Sequence, residues 1–213
     1  MKVILFGSTG MVGQGVLREC LRDPNVTEVI TVVRSATDQK HPKLREVVHR
    51  DFTDFSTLEL DADACFWCLG VSSTGMSETD YMRVTYEYTL AAAKRLVRPT
   101  LTFIFVSGAG AQGTAMWARV KRKTEDALFA MPFKAVYVIR LGMVQPLHGI
   151  KSRTRMYNVL YPILYPLMLV AKLLAPSSIT DTERVGRAML QIAKEGFPKL
   201  LLTNADLNAA SEG

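Results

Sequence analysis

The sequence predicts a doubly wound α/β fold built on a parallel sheet, and three observations lead there. Short apolar runs rich in β-branched residues alternate with stretches of helical periodicity. A glycine-rich turn joins the first such run to the first helix. The alternation ends at Arg140, leaving 147–213 as a small, mostly helical carboxyl-terminal cap on a domain spanning 1–146. With 213 residues, the chain suits one domain of roughly 100–200 residues plus an appendage.

Lys2 to Phe6 is an apolar run ending in glycine, as expected of a buried parallel strand. Met11 to Arg22 places Met11, Val12, Val16, Leu17 and Cys20 at helical spacing. Asp23-Pro24-Asn25 breaks that helix, and Val26 to Val33 returns to an extended pattern. Further strands follow at Glu46 to His49, Ala62 to Leu69, Thr100 to Val106 and Ala135 to Ile139. Helices are predicted at Thr79 to Val97 and Trp117 to Phe129. Beyond Arg140, Thr180-x-x-Glu183 matches a capping box opening a helix through Val185, Ala188, Met189 and Ile192. Leu200 to Leu202 reads as a last edge strand, and the tail from Ala205 as polar and frayed.

Composition excludes several classes. At 48% hydrophobic and 22% charged residues, the chain is neither disordered nor fibrous. Its three cysteines, an odd number, argue for a reducing compartment. The apolar run before Gly7 is shorter than the ~7–15 residues of a signal-peptide core. A cytoplasmic location is the expectation. The stretch from Met156 to Ala171 carries no charge and is flanked by Lys151, Arg153, Arg155 and Lys172. Pro162 and Pro166 interrupt it, and it falls short of the ~20 apolar residues of a spanning helix, so peripheral membrane contact is the most it offers. The net charge of +6 favours anionic partners. Neither Lys121-Arg122-Lys123 nor Lys151-x-Arg153-x-Arg155 is interleaved with aromatics, so no nucleic acid is expected.

Gly7-Ser8-Thr9-Gly10-Met11-Val12-Gly13 is the most informative segment. Standing between strand and helix, it aims free N–H groups and the positive dipole end of a helix at a pyrophosphate. Gly7 and Gly10 allow a sharp turn and close approach, and Gly13 lets the helix pack near the sheet. No lysine follows as in a nucleoside-triphosphate loop. At the tip of the second strand, an acid selects the ribose of NAD and an arginine the 2′-phosphate of NADP. Arg34 stands there, so the predicted cofactor is NADP. Asp51 and Phe52, past the third strand, are candidates to flank the adenine.

On these motifs the chain resembles the short-chain dehydrogenase/reductase superfamily, in its atypical NAD(P)-binding Rossmann branch. The likeness is to the group around the Tat-interacting tumour-suppressor protein and small bacterial epimerase-like proteins. It covers Met1 to about Pro146 and rests on Gly7 to Gly13, Cys68-Leu69-Gly70, Phe105-Val106-Ser107 and Arg140-Leu141-Gly142-Met143-Val144. The resemblance implies that Leu69, Gly70 and Val71 line the cofactor and that Arg140, Leu141 and Gly142 lie beside the nicotinamide. That superfamily uses a serine and a Tyr-x-x-x-Lys, in which lysine depresses the phenol pKa from about 10. Ser107 and Lys121 match two of the three positions, but Trp117 stands where the tyrosine belongs. An indole N–H is too weak an acid for that role. The implied roles are Ser107 orienting a carbonyl, Lys121 holding the ribose and Trp117 walling the substrate space.

Other constellations carry less. Cys65-x-x-Cys68 lies on a strand, where i and i+3 face opposite sides, and Cys20 is on the first helix. His41, His49 and His148 show no metal spacing, and no metal is expected; His148, beyond the sixth strand, is a candidate proton donor or substrate contact. The leading expectation is an NADP-dependent oxidoreductase acting on a small apolar carbonyl substrate. The rival is a non-catalytic NADP-binding regulator acting through a partner. Oligomeric state stays open.

Overall fold

The computed structural model describes residues 1–150 and 179–212. Within them the chain runs β1 (Lys2–Phe6), α1 (Met11–Arg22), β2 (Glu28–Val33), β3 (Leu44–Val48) and β4 (Ala64–Trp67). It continues through α2 (Glu78–Met82), a π-helical turn (Arg83–Glu87), α3 (Tyr88–Leu96), β5 (Thr102–Gly108), α4 (Met116–Phe129) and β6 (Ala135–Leu141). Then come β7 (Met143–Gln145), β8 (Ile179–Asp181), α5 (Thr182–Glu195), β9 (Leu201–Leu202) and α6 (Asn204–Ala210).

Seven of these strands form one sheet, in the order β3-β2-β1-β4-β5-β6-β9. Every pairing in it is parallel. This is the doubly wound α/β architecture that the sequence predicts. Alternating side chains divide the core in two, as the period of a strand requires. Val3 and Leu5 of β1 pack with Val16, Leu17 and Cys20 of α1 and with Val185, Met189 and Ile192 of α5. Ile4 and Phe6 pack on the other face with Trp67, Phe103, Phe105 and Leu96. Cys65 belongs to the second cluster, whereas Cys68 packs against the first, so the two thiols separate as their strand spacing requires.

Chain order reverses at β1, which pairs with β2 on one side and β4 on the other. That reversal opens a crevice at the carboxyl ends of these strands, where α/β sheets take their ligands. Helix α1 begins at this point and is clamped from behind by α5. A Cβ on Gly15 would lie 2.5 Å from the Thr182 carbonyl oxygen, and one on Gly186 would lie 2.8 Å from Glu19 Cγ. Two glycines therefore let the helix backbones approach more closely than any other residue permits.

The carboxyl-terminal part departs from expectation in two places. The predicted cap residue Thr180 lies in β8, paired with Val144 of β7, and its buried hydroxyl has no hydrogen-bond partner among the described residues. Asp181 caps α5 instead, its Oδ1 accepting from the Arg184 N–H at 2.8 Å. The tail from Ala205 is helical rather than frayed. Thr203 and Asp206 form a reciprocal capping box, and Leu207 and Ala210 are buried against the sheet. The predicted edge strand is present as β9, paired with β6. The uncharged stretch 156–171 and the basic cluster 151–155 lie outside the described residues. Among the described residues, no helix is long and apolar enough to cross a membrane.

Substituting Gly15 with alanine forces a methyl group onto the Thr182 backbone. The expected loss is about 1–3 kcal/mol, the usual cost of overpacking. It is read as a lower urea midpoint with an unchanged slope. An unaltered midpoint would show that the α1–α5 contact yields without cost.

Candidate functional site

The crevice holds a cavity of about 780 Å³, within the range of small-molecule sites. Its floor is the glycine turn. Gly7 sits at φ +79°, and a Cβ there would strike the Leu69 nitrogen at 2.5 Å and the Cys68 carbonyl carbon at 2.6 Å. A Cβ on Gly13 would lie 2.0 Å from the Gly7 oxygen. The turn therefore tolerates no side chain at either place. Gly10 precedes α1 with no side chain capping the helix and no acid in its first turn. The first N–H groups are left to an anion.

Side-chain anchors shape the walls. Glu46 of β3 accepts from the Thr37 N–H at 2.7 Å and its hydroxyl at 2.8 Å, fixing the loop that carries Arg34, Ser35 and Thr37. The His49 ring nitrogen Nε2 donates to the carbonyls of Asp51 and Asp54 at 2.6 and 2.7 Å. That closes the turn from which Arg50 and Phe52 reach the cavity. Phe52 is braced edge-on by Phe6 and Phe55, with ring centroids 6.4 and 5.5 Å away.

Of the residues the sequence points to, Gly7, Ser8, Thr9, Gly10, Arg34, Phe52, Leu69, Gly70 and Val71 line this cavity. Met11, Val12 and Gly13 do not, because they already belong to the helix. Asp51 does not either; its carboxylate accepts from the Thr53 N–H and hydroxyl within its own turn. The preceding residue, Arg50, enters instead. Neither Arg34 nor Arg50 is paired with a carboxylate among the described residues, and no described lining residue is acidic. Two free guanidinium groups at one rim suit a phosphate monoester.

A second constellation lies where β5 meets α4. Trp117, Lys121 and Glu125 follow at i, i+4 and i+8 along one side of α4. The Trp117 ring covers the strand end: a Cβ on Gly108 would lie 3.4 Å from its Cζ3, and one on Gly110 3.1 Å from its Cη2. The stem of Lys121 passes the same Gly108, 3.8 Å from that Cβ position. Its Nζ donates to the Val106 carbonyl at 3.4 Å and stands 5.4 Å from the Phe105 ring centre. Loss of water lowers its pKa to about 8, although the Glu125 charge pulls the other way.

Ser107 is turned elsewhere. Its hydroxyl donates to Glu125 Oε1, while Arg140 donates to Glu125 Oε2 at 2.6 Å. Glu125 is 1% exposed, and sequence reading missed it. A carboxylate held by a guanidinium can only accept, so the one proton of Ser107 is committed to it. That hydroxyl is thus in no position to donate to a carbonyl, as the resemblance implies. Leu141 and Gly142 do not line the cavity, and the Gly142 N–H donates to Asn204 Oδ1 at 3.0 Å. His148 pairs with Glu183 at 2.6 Å and does not line it either. Burial pushes the Cys68 thiol up to about 12, which leaves it inert.

No protein-family model matches the chain. Curated relatives include "Protein FMP52, mitochondrial" of Meyerozyma guilliermondii, 27% identical over 155 residues, or 68% of this chain. The chain spans 65% of that relative's length. "Protein FMP52-2, mitochondrial" of Scheffersomyces stipitis is 26% identical over 92% of this chain and 88% of its own length. Among solved structures, an oxidoreductase of the short-chain dehydrogenase/reductase family from Burkholderia thailandensis superposes with a TM-score of 0.71 at 14% identity. That match covers 98% of this chain and 92% of the other. The UDP-glucuronic acid 4-epimerase of Bacillus cereus, in complex with NAD, gives 0.67 at 14% identity, over 95% and 76%. The fold is accordingly the Rossmann-type α/β arrangement that these structures share. The expected cytoplasmic location does not stand: these relatives are named mitochondrial. The odd cysteine count reports a reducing environment, not a particular compartment.

The depressed lysine has a consequence for stability. Between about 8 and its ordinary value of 10.5, the unfolded chain holds a proton on Lys121 that the folded chain does not. Stability contributed by this site therefore rises with pH across that window. Lys121→Met is expected to be more stable than the parent at pH 7, with the gap closing as pH approaches 10.5. Thermal melts from pH 7 to 10.5 read this directly; a gap that widens with pH would refute it.

Proposed function

We propose that this chain binds NADP(H) and acts as an oxidoreductase of the atypical short-chain kind on a small carbonyl substrate. The observation that carries this reading is the acid-free cavity with Arg34 and Arg50 at its rim above an uncapped helix terminus. The turn of Gly7 to Gly10 and the first N–H groups of α1 hold the pyrophosphate. Phe52 lies along the adenine, and the two arginines take the 2′-phosphate. A bound dinucleotide of this kind supplies or accepts a hydride at its nicotinamide ring. The fit is set by the protein's own shape, since a Cβ at Gly7 would lie within 2.5 Å of backbone and distort the cradle. NAD-bound proteins of the same fold, such as the Bacillus cereus epimerase, support the choice of a nicotinamide dinucleotide.

Two observations favour the second reading, a regulator that binds NADP(H) without turnover. Trp117 stands where the resemblance places the acidic phenol, and the Ser107 proton is engaged by Glu125. Consumption of NADPH in the presence of aldehydes, ketones and quinones separates the two readings. Binding without consumption favours the regulator.

Calorimetric titration of variants tests the cofactor assignment. Arg34→Asp and Arg50→Ala are each expected to weaken NADPH about 10- to 100-fold, as loss of a charge-assisted bond worth roughly 1.5–3 kcal/mol requires. NADH affinity should change less than about threefold, because it lacks the phosphate. Equal losses for both nucleotides would reject the 2′-phosphate assignment.

A further inference from the structure

We propose that Glu46 sets the preference of this site for a 2′-phosphorylated dinucleotide by holding the loop that carries Arg34. It is a positioning residue, in contact with the loop and not with the ligand. The inference rests on the NADP(H) reading above and goes beyond it by naming the side chain on which the selectivity of Arg34 depends.

The loop between β2 and β3 runs from Arg34 to Lys43, and its two ends are secured differently. At the β3 end, the Lys43 ammonium donates to the Asp23 carbonyl at 2.7 Å, and the Leu44 N–H to the His41 carbonyl at 2.9 Å. At the β2 end, Arg34, Ser35, Ala36 and Thr37 line the cavity. Here the attachment is a single carboxylate. Thr37 donates its N–H to Glu46 Oε1 at 2.7 Å and its hydroxyl to Oε2 at 2.8 Å. The Gln39 N–H donates in turn to the Thr37 hydroxyl oxygen at 3.4 Å. Among the described residues, no hydrogen bond or ion pair from Arg34, Ser35 or Ala36 adds to this. Residues 34–36 and 38–40 are exposed, and Thr37 between them is half-buried. The burial pattern and the hydrogen bonds mark the same anchor point.

The anchor itself belongs to the sheet. Parallel pairing sets Glu46 opposite Thr31 of β2, so a strand residue holds a loop residue. Sites held by strands are more precise than sites left to loops. Glu46 is absent from the cavity lining, and each of its oxygens accepts from Thr37. An acid at the tip of the second strand would select the ribose of NAD. This acid stands one strand away and is engaged by the loop, which leaves Arg34 free of it.

The consequence for binding is entropic. An unanchored loop must be ordered when the phosphate arrives, and that ordering is subtracted from affinity. With Thr37 fixed three residues away, Arg34 is confined before the ligand binds. NADH has no 2′-phosphate for Arg34 to meet, so the anchor acts chiefly on NADPH.

Calorimetric titration of the whole chain with NADPH and NADH tests this. Glu46→Ala is expected to weaken NADPH about tenfold, the size of one charge-assisted hydrogen bond, and NADH less than about threefold. Glu46→Gln keeps an acceptor for the Thr37 N–H, and its amide can donate to the hydroxyl, so most of the preference should return. Once Arg34→Ala is present, adding Glu46→Ala should change NADPH affinity less than about twofold, because the anchor acts through that arginine. Equal losses for both nucleotides, tighter NADPH binding in Glu46→Ala, or additive effects with Arg34→Ala overturn the proposal. Should Glu46→Ala not fold, Thr37→Val must show the selective loss while Thr37→Ser binds as the parent does. Equal NADPH affinity in that pair overturns the proposal as well. A parent chain that does not prefer NADPH defeats the 2′-phosphate reading itself, whereas a preference that survives Glu46→Ala defeats this inference alone.

Discussion

At the start of α1 the helix backbone rests on the end of β1, and the contact leaves no room for a β-carbon. A methyl group on Gly13 would lie 2.0 Å from the Gly7 carbonyl oxygen, and one on Gly7 would be driven into the backbone between Cys68 and Leu69. Three segments meet there: the first strand, the first helix and the end of the fourth strand. Because they meet backbone to backbone, the helix terminus is aimed into the crevice at a fixed height above the sheet. The far side of the same helix is fixed in the same manner, Gly15 against Thr182 and Gly186 against Glu19. Small-residue packing on both sides thus holds the anion-binding end of α1 in place, and α5, late in the sequence, is part of that support.

Charge is treated in opposite ways at the cavity and at the network where β5 meets α4. At the cavity rim, Arg34 and Arg50 stand in solvent with no described carboxylate beside them, so their desolvation cost is small and their charge is available to a ligand. Where β5 meets α4, the buried Glu125 is paired with a partly exposed Arg140, with Ser107 completing the network. A buried carboxylate is tolerable only when its lone pairs are met in this way. The cost falls on chemistry, since the serine proton and the arginine are both used up. Lys121 stands one turn away from that pair, close enough to feel the Glu125 charge, with its Nζ donating at 3.4 Å to the Val106 carbonyl.

The fold was legible in the sequence wherever periodicity and glycine placement acted locally. Lys2 to Phe6 and Val26 to Val33 are extended runs that the sheet places side by side, and the glycine turn lies between them. The misses came from pairings between distant segments. Nothing local marks Met143–Gln145 as a strand, because its partner is Ile179–Asp181. That pairing takes Thr180 into a ladder and hands the cap to Asp181. Likewise Asn204–Ala210 reads as a polar tail until Thr203, Asp206 and the buried Leu207 are seen together. At the site, Arg34 was found by its distance from the glycines, whereas Arg50 was passed over for Asp51 beside it. The side-chain bonds that turn Asp51 back onto Thr53 decide that choice. Glu125 was one i+4 step beyond Lys121, and only the partners across the sheet reveal its role.

The central claim is that two arginines, each in the loop that follows a separate strand, converge on one phosphate monoester beside the glycine turn. Titration of the chain with 2′,5′-ADP and with 5′-ADP, at matched ionic strength, tests it without reference to any substrate or reaction. The account predicts that the 2′-phosphate tightens binding by about tenfold or more, an advantage that shrinks as salt screens the arginines. Equal affinity for the two nucleotides, or an advantage indifferent to salt, would contradict it.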